Sequence, residues 1–183
     1  MGNRATELSE KQITFIESQN IFFVGTATAD SRVNISPKGM DSLRVIDNKR
    51  VIWLNVTGSG NETAAHVQEH PRMTLMFVAF EGAPLILRLY GTAKAIHRND
   101  PEWNELISLF SPLPGARQIF DLAVELVQAS CGTGVPYFDY AGDRVQLSNW
   151  AAKKGDEGIK AYWLKSNQQS LDGKPTHIKN KNM

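Results

Sequence analysis

The chain has almost no cysteine, no excess of charge of either sign, and no long hydrophobic run. Cys131 is the only cysteine among 183 residues, which excludes an internal disulfide framework and any zinc or iron–sulfur site built from several cysteines. Twenty basic and nineteen acidic residues leave a formal charge of +1, so charge gives no reason to expect a nucleic-acid partner or an anionic membrane surface. The longest apolar run, residues 73–80, is far shorter than the roughly 20 residues of a membrane-spanning helix.

The remaining composition is that of an ordinary globular protein, with 42% hydrophobic and 21% charged residues. The first dozen residues are polar and lack the apolar core of a secretory signal. We therefore expect a cytoplasmic protein with no membrane and no nucleic-acid partner. The length predicts one domain, residues 1–165, followed by a polar C-terminal tail, residues 166–183.

The hydrophobic pattern predicts a mainly β protein with helices, of the α+β class. Segments rich in β-branched and aromatic residues predict six strands, at residues 21–28, 32–36, 43–47, 51–56, 73–80 and 85–97. Helical patterns predict a helix capped by Ser9 and Gln12, and further helices over about residues 57–69, 100–110 and 116–130. Because most strands follow one another through short turns, we expect an antiparallel sheet or barrel with helices on its outside.

The segment between the fourth strand and the second helix is the strongest candidate for a binding loop. It reads Thr-Gly-Ser-Gly-Asn-Glu-Thr from Thr57 to Thr63. Free backbone N–H groups at a helix start suit a phosphate or carboxylate, and glycines allow close approach. Ser59 and Glu62 also form a capping-box pattern that would start the helix near Gly60. These residues alone therefore leave two interpretations open, an anion site and an ordinary capped helix.

Two basic residues could supply positive charge to such a site. Arg88 lies within a predicted strand among apolar neighbours, where an unpaired guanidinium is costly. It either pairs with a carboxylate such as Glu62 or Asp41 at the rim of the sheet, or meets an anionic ligand. Lys38 follows Ser36 and Pro37 at a strand end, and is either a solvated turn lysine or a phosphate contact.

Two other motifs carry little weight. His66 and His70 fit an inverted zinc-protease pattern. However, Pro71 ends their helix and no third ligand is evident, so we expect no metal site. Cys131 follows the helix predicted over residues 116–130. A helix C-terminus raises the pKa of a thiol, so this cysteine is not expected to be a nucleophile.

Taken together, several segments resemble the pyridoxamine 5′-phosphate oxidase-related family of FMN-binding split-barrel proteins. The resemblance begins with Arg-Val-Asn-Ile-Ser-Pro-Lys-Gly at residues 32–39 and continues in the segments 51–55, 57–66, 71–77, 87–93, 134–138 and 170–173. It implies a six-stranded antiparallel split β-barrel with peripheral helices. It also implies a homodimer with FMN in a cleft between the subunits.

The resemblance further implies which residues bind the cofactor. The strand that ends at Lys38 and the loop near Gly60 would hold the phosphate and the ribityl chain of FMN. The expected cofactor-binding residues are Ser36, Lys38, Thr57, Ser59, Gly60, Asn61, Thr63 and Arg88. No catalytic residue can be assigned.

The loop departs from the oxidase pattern, because Asn61, Glu62 and Thr63 stand where the oxidase is often basic. The segment from Arg144 to Trp150 also replaces the C-terminal Arg-x-His substrate motif of the oxidase. Pyridoxal phosphate synthesis is therefore not inferred. The sequence favours a flavin-dependent oxidoreductase with an unknown small-molecule substrate and electron donor. The alternative is a non-enzymatic module that binds flavin, deazaflavin or haem for sensing, storage or stress protection.

Overall fold

Eight strands and five helices form the part of the chain that the computed structural model describes, residues 2–183. The strands are β1 (Asn3–Ala5), β2 (Phe22–Thr26), β3 (Asn34–Lys38), β4 (Leu43–Asp47), β5 (Arg50–Val56), β6 (Arg72–Val78), β7 (Ile86–His97) and β8 (Ala116–Ser130). The helices are α1 (Glu10–Glu17), α2 (Glu62–Glu69), α3 (Trp103–Ile107), α4 (Gln146–Ser166) and α5 (Ile178–Asn182). Across residues 2–183, no helix is long and apolar enough to cross a membrane.

The strands form one antiparallel sheet in the order β3-β2-β6-β7-β8-β5-β4, and β1 pairs with β8. The expected class, mainly antiparallel β with helices, is confirmed, and all six predicted strands are present. The sheet is open. It contains eight strands rather than the six that were predicted, because β1 and β8 were not expected as strands. Inside it, Trp53 is fully buried and stacks on Phe120 with ring centroids 4.5 Å apart.

The segment predicted as a helix over residues 116–130 is instead β8, and that prediction is wrong. Every residue from Ala116 to Leu122 is buried, because both faces of β8 are covered. Phe120 faces the main core, whereas Ile119 packs in a second cluster with Trp103 near α3. A strand buried on both faces loses the alternation of apolar and polar residues, and the remaining apolar spacing imitates a helical stripe.

The predicted helix starts have mixed outcomes. The capping box of Ser9 and Gln12 is confirmed, since Gln12 N–H donates to the Ser9 hydroxyl and Ser9 N–H donates to the Gln12 side chain. The second box is wrong: α2 begins at Glu62, and its N-cap is Asn61 rather than Ser59. Its Glu62 carboxylate accepts the N–H of Leu171 at 2.9 Å.

The polar C-terminal residues pack against the sheet and α2. Thr176 and Ile178 are fully buried. Lys174 lies 2.8 Å from Asp30 and 2.9 Å from Glu69. These contacts hold the C-terminal segment against the turn between β2 and β3 and the end of α2.

Candidate anion-binding cleft

A cleft of about 420 Å³ opens between β3, the end of β5 and the start of α2. Its floor includes Arg117, the second residue of β8. Six of the eight predicted cofactor-binding residues line it: Ser36, Lys38, Ser59, Gly60, Asn61 and Thr63. The structure therefore brings together most of a site that the sequence distributes over two separate segments.

Thr57 lies behind this cleft, where it supports the loop. Its hydroxyl donates to the carbonyl of Gly115 at 2.7 Å and accepts the indole N–H of Trp163 at 2.8 Å. Thr57 therefore supports the loop through these two bonds, and its expected contact with the cofactor stays a prediction.

Arg88 does not line the cleft. It pairs with Gln128 in the β7–β8 ladder, eleven residues along β8 from Arg117, which is on the order of 35 Å of extended strand. Its guanidinium donates to the Ser130 hydroxyl at 3.1 Å, and neither predicted carboxylate partner, Glu62 or Asp41, accepts from it. Within one chain, Arg88 and Lys38 do not meet, so the expected contact between Arg88 and the cofactor stays a prediction.

Lys38 supplies positive charge at one wall of the cleft. Its side chain is half-buried, and its ammonium lies 5.3 Å from the ring centre of Trp53. Burial, together with the nearby charge of Arg117, lowers the pKa of Lys38 to about 8. No carboxylate in the described chain pairs with Lys38, so its charge is available to a ligand.

Arg117 supplies a second positive charge, and the sequence analysis missed it. It is 2% exposed, donates to the Asn167 side-chain oxygen at 2.8 Å and donates to the Gly60 carbonyl at 2.7 Å. With its side-chain oxygen turned toward the guanidinium, Asn55 accepts two further hydrogen bonds at 3.2 Å. These acceptors are neutral. Burial lowers the pKa of Arg117 to about 9, so it remains charged at neutral pH.

The loop also offers neutral polar groups. The N–H groups of Gly60, Asn61 and Glu62 donate no hydrogen bond to another described residue, and they lie where the α2 dipole favours an anion. Asn61 is 2% exposed, and its side-chain oxygen is buried without a donor. That oxygen suits a hydroxyl or N–H of a ligand. The cleft therefore matches a molecule that carries both an anion and hydrogen-bond donors.

The histidines and the cysteine lie outside this cleft. His66 is buried, with its Nδ1 3.2 Å from the Thr26 hydroxyl. Residues 2–183 contain no group of three or more potential metal ligands, and the absence of a metal stays a prediction. Cys131 follows a strand rather than a helix, so the helix argument for its pKa is wrong. Hydrogen bonds with Thr133 lower the pKa of this exposed thiol.

The fold and the cleft together define an antiparallel split-barrel protein with a site suited to an anionic ligand. Residues 8–131 match the family model described as pyridoxamine 5′-phosphate oxidase. A relative from Aspergillus flavus, the pyridoxamine 5′-phosphate oxidase family protein ustO, is 35% identical over 175 residues, which cover 86% of this chain and 70% of the relative. The chain belongs to the pyridoxamine 5′-phosphate oxidase family.

Solved structures support the same fold. A candidate pyridoxamine 5′-phosphate oxidase of Lactobacillus delbrueckii has a TM-score of 0.55 at 22% identity, covering 67% of this chain and 94% of that one. HupZ of Group A Streptococcus has a TM-score of 0.51 at 20% identity, covering 65% and 92%. A Clostridium acetobutylicum protein related to general stress protein 26 has a TM-score of 0.53 at 17% identity, covering 66% and 86%. At these identities the likeness concerns the fold alone.

Proposed function

We propose that this chain binds FMN in the cleft, with the phosphate between Lys38 and Arg117, and that it serves as a flavin-dependent oxidoreductase for a small molecule. One observation carries the proposal: two cations line the cleft and neither forms a salt bridge within residues 2–183, while a single carboxylate of the cleft, Glu62, only partly offsets the charge of Arg117. Placing uncompensated charges together is costly, and an anionic ligand removes that cost. The family commonly binds flavin, which supports FMN as that ligand.

The other groups of the cleft fit the rest of FMN. The phosphate accepts hydrogen bonds only, which matches Lys38, Arg117 and the loop N–H groups. The ribityl hydroxyls are donors, which the unpartnered oxygen of Asn61 requires. Ser36 and Thr63 line the same cleft and add hydroxyls of their own. A phosphate-free flavin would leave both cations without an anion.

When bound, FMN supplies the hydride or electron transfer, and the protein binds, orients and tunes it. Arg117 offers a fork of donors in a fixed position, whereas Lys38 acts as a mobile point charge. Trp53 lies beneath the ammonium of Lys38, with the ammonium 5.3 Å from the ring centre. No side chain in the cleft is assigned as a general acid or base.

We also propose a homodimer in which FMN lies between the subunits. Val33 is 71% exposed and Ile35 is 69% exposed, on and beside the edge strand β3. A second copy would cover this apolar edge and could bring its own Arg88 toward the cofactor. We expect an interface of roughly 2,000 Å² in total. Light scattering at micromolar concentration tests this proposal: a dimer is expected, and a monomer that still binds FMN contradicts it.

Titration of the apo-protein with FMN and with riboflavin tests the proposed function. The wild type should prefer FMN, and Lys38→Ala should weaken FMN about ten- to a hundredfold, because losing a charged hydrogen-bond partner costs about 1.5–3 kcal/mol. Riboflavin affinity should not change in this variant. Lys49→Ala is the control, since Lys49 is exposed at the β4–β5 turn beside Glu7. Equal affinities of the wild type for FMN and riboflavin would contradict the placement of the phosphate.

Oxidation of a reductant by the FMN-loaded protein separates the two functional classes. Catalytic turnover supports an oxidoreductase. Stoichiometric FMN binding without turnover for any reductant tried would contradict the enzymatic part of the proposal and favour a flavin carrier.

A further inference from the structure

The last residues of the chain hold the anion site together through one buried side chain, Asn167, which follows α4 directly. Asn167 is fully buried. Its side-chain oxygen accepts from Arg117 at 2.8 Å, and its side-chain nitrogen donates to the carbonyls of Gly58 and Ser59 at 3.1 and 3.3 Å. One amide thus fixes both the guanidinium and the loop that form the cleft.

The rest of the C-terminal segment fixes Asn167 in turn. Its backbone carbonyl accepts from the Thr176 hydroxyl at 2.6 Å and from the Asn61 side chain at 3.4 Å. Asn182 donates to the Arg117 carbonyl at 2.6 Å, so the segment contacts Arg117 at both its backbone and its side chain. We name residues 167–183 the C-terminal clasp.

Asn167 can orient the guanidinium of Arg117 without neutralising its positive charge. A neutral amide oxygen orients the guanidinium, whereas a carboxylate at the same place would neutralise it. The clasp also contacts the nearby carboxylate of Glu62, which accepts the N–H of Leu171 at 2.9 Å and forms no salt bridge with Arg117. Asn167 and the whole clasp lie beyond residues 8–131, the region that the family model matches.

We propose that Asn167 is a positioning residue that makes the site select flavins bearing a phosphate, and that the C-terminal clasp is therefore part of the cofactor site. This inference rests on the proposed function, because it assigns the phosphate to Arg117. It implies that Asn167 acts on the phosphate through Arg117 and not through general stability of the loop.

The test is the ratio of FMN affinity to riboflavin affinity in Asn167→Asp. The new carboxylate would pair with Arg117, whereas the lost bonds to the carbonyls of Gly58 and Ser59 would weaken both flavins alike, so FMN affinity should fall at least tenfold more than riboflavin affinity. Asn149→Asp is the matched control, because Asn149 is exposed on α4 and the charge change is the same. If Asn167→Asp does not fold, Asn167→Ser removes the contact with Arg117 without adding charge, and a smaller fall in the same ratio is expected.

A double-mutant cycle separates positioning from structure. In an Arg117→Met background, Asn167→Asp should leave the affinity ratio unchanged. Equal losses of FMN and riboflavin, or a further fall of the ratio in that background, would overturn the inference. If the wild type prefers FMN and the ratio of FMN affinity to riboflavin affinity is the same in Asn167→Asp, the inference about Asn167 fails while the proposed function stands. If the wild type shows no preference, the proposed function fails and the inference falls with it.

Discussion

Replacing Arg117 by methionine should separate binding from stability. Burial lowers the pKa of Arg117 from its ordinary value to about 9, which corresponds to a cost of about 5 kcal/mol for keeping the charge inside the protein. Methionine removes that cost while keeping an unbranched, largely apolar side chain. It also leaves three acceptors without their donor, the side-chain oxygens of Asn167 and Asn55 and the Gly60 carbonyl, which costs roughly 1–3 kcal/mol each. We therefore expect the free energy of unfolding of the apo-protein to lie between about 2 kcal/mol above and about 4 kcal/mol below that of the wild type.

The effect on FMN binding can be measured separately from the effect on folding. Losing a charged donor should raise the Kd for FMN about ten- to a hundredfold. At FMN equal to a hundred times the wild-type Kd, the ligand stabilises the wild type by about 2.7 kcal/mol, but a variant with a hundredfold weaker Kd by only about 0.4 kcal/mol. Urea unfolding of both proteins with and without FMN measures the two effects.

Arg144→Met is the control, because Arg144 is exposed in the segment before α4. Two results would refute the reasoning. Wild-type FMN affinity in Arg117→Met would show that the phosphate does not contact Arg117. A loss of more than about 5 kcal/mol in the apo-protein would exceed what the lost acceptors explain and make Arg117 a structural group.

Three further predictions follow from single residues. Because the pKa of Lys38 is about 8 and that of Arg117 is about 9, calorimetric titration should show FMN affinity falling about fourfold between pH 7 and pH 8.5 as Lys38 loses its proton. In Lys38→Ala, where only Arg117 titrates, the fall should be less than about twofold, and an equal fall in both proteins would contradict this role of Lys38. Burial lowers the pKa of His97 to about 4, so the unfolded state binds its proton first as the pH drops. The free energy of unfolding should therefore be about 2 kcal/mol lower at pH 5 than above about pH 6.5, and the decrease should be smaller in His97→Gln. An equal decrease in the wild type and in His97→Gln would contradict this prediction. A Cβ on Gly91 would lie 1.9 Å from the Ala123 carbonyl oxygen. Gly91→Ala should therefore lower the free energy of unfolding by at least about 2 kcal/mol, whereas Gly134→Ala, with open space around it, should not.

Most of the sheet could be predicted because its strands alternate or lie between turn residues. The strands β4 and β5 flank a short turn and were expected as a hairpin, and the structure pairs Leu43 with Trp53. The strand β8 could not be recognised by periodicity, since both of its faces are buried. Its content of Ile119, Phe120, Val124 and Val127 favours a strand, and that signal was outweighed by the helical spacing of the same residues.

The same error concealed one of the two cations of the cleft, Arg117. Lys38 and the residues from Ser59 to Thr63 were expected from a strand end and a glycine-containing loop, and they line the cleft. Arg117 was missed because it had been placed on a helix, where an arginine needs no explanation. If residues 116–130 had been predicted as a buried strand, Arg117 would have become a candidate for binding an anion, because an unpaired guanidinium inside such a strand is costly. The same argument was applied to Arg88. Asn167 could not be found this way, because its role depends on folding of the C-terminal segment over residues distant in sequence.

The most direct test of the account is a crystal structure of the protein grown with FMN. The account predicts the phosphate about 3 Å from both the Lys38 ammonium and the Arg117 guanidinium, beside the N–H groups of residues 60–62. A phosphate bound away from these two cations, or FMN bound outside the cleft, would contradict it.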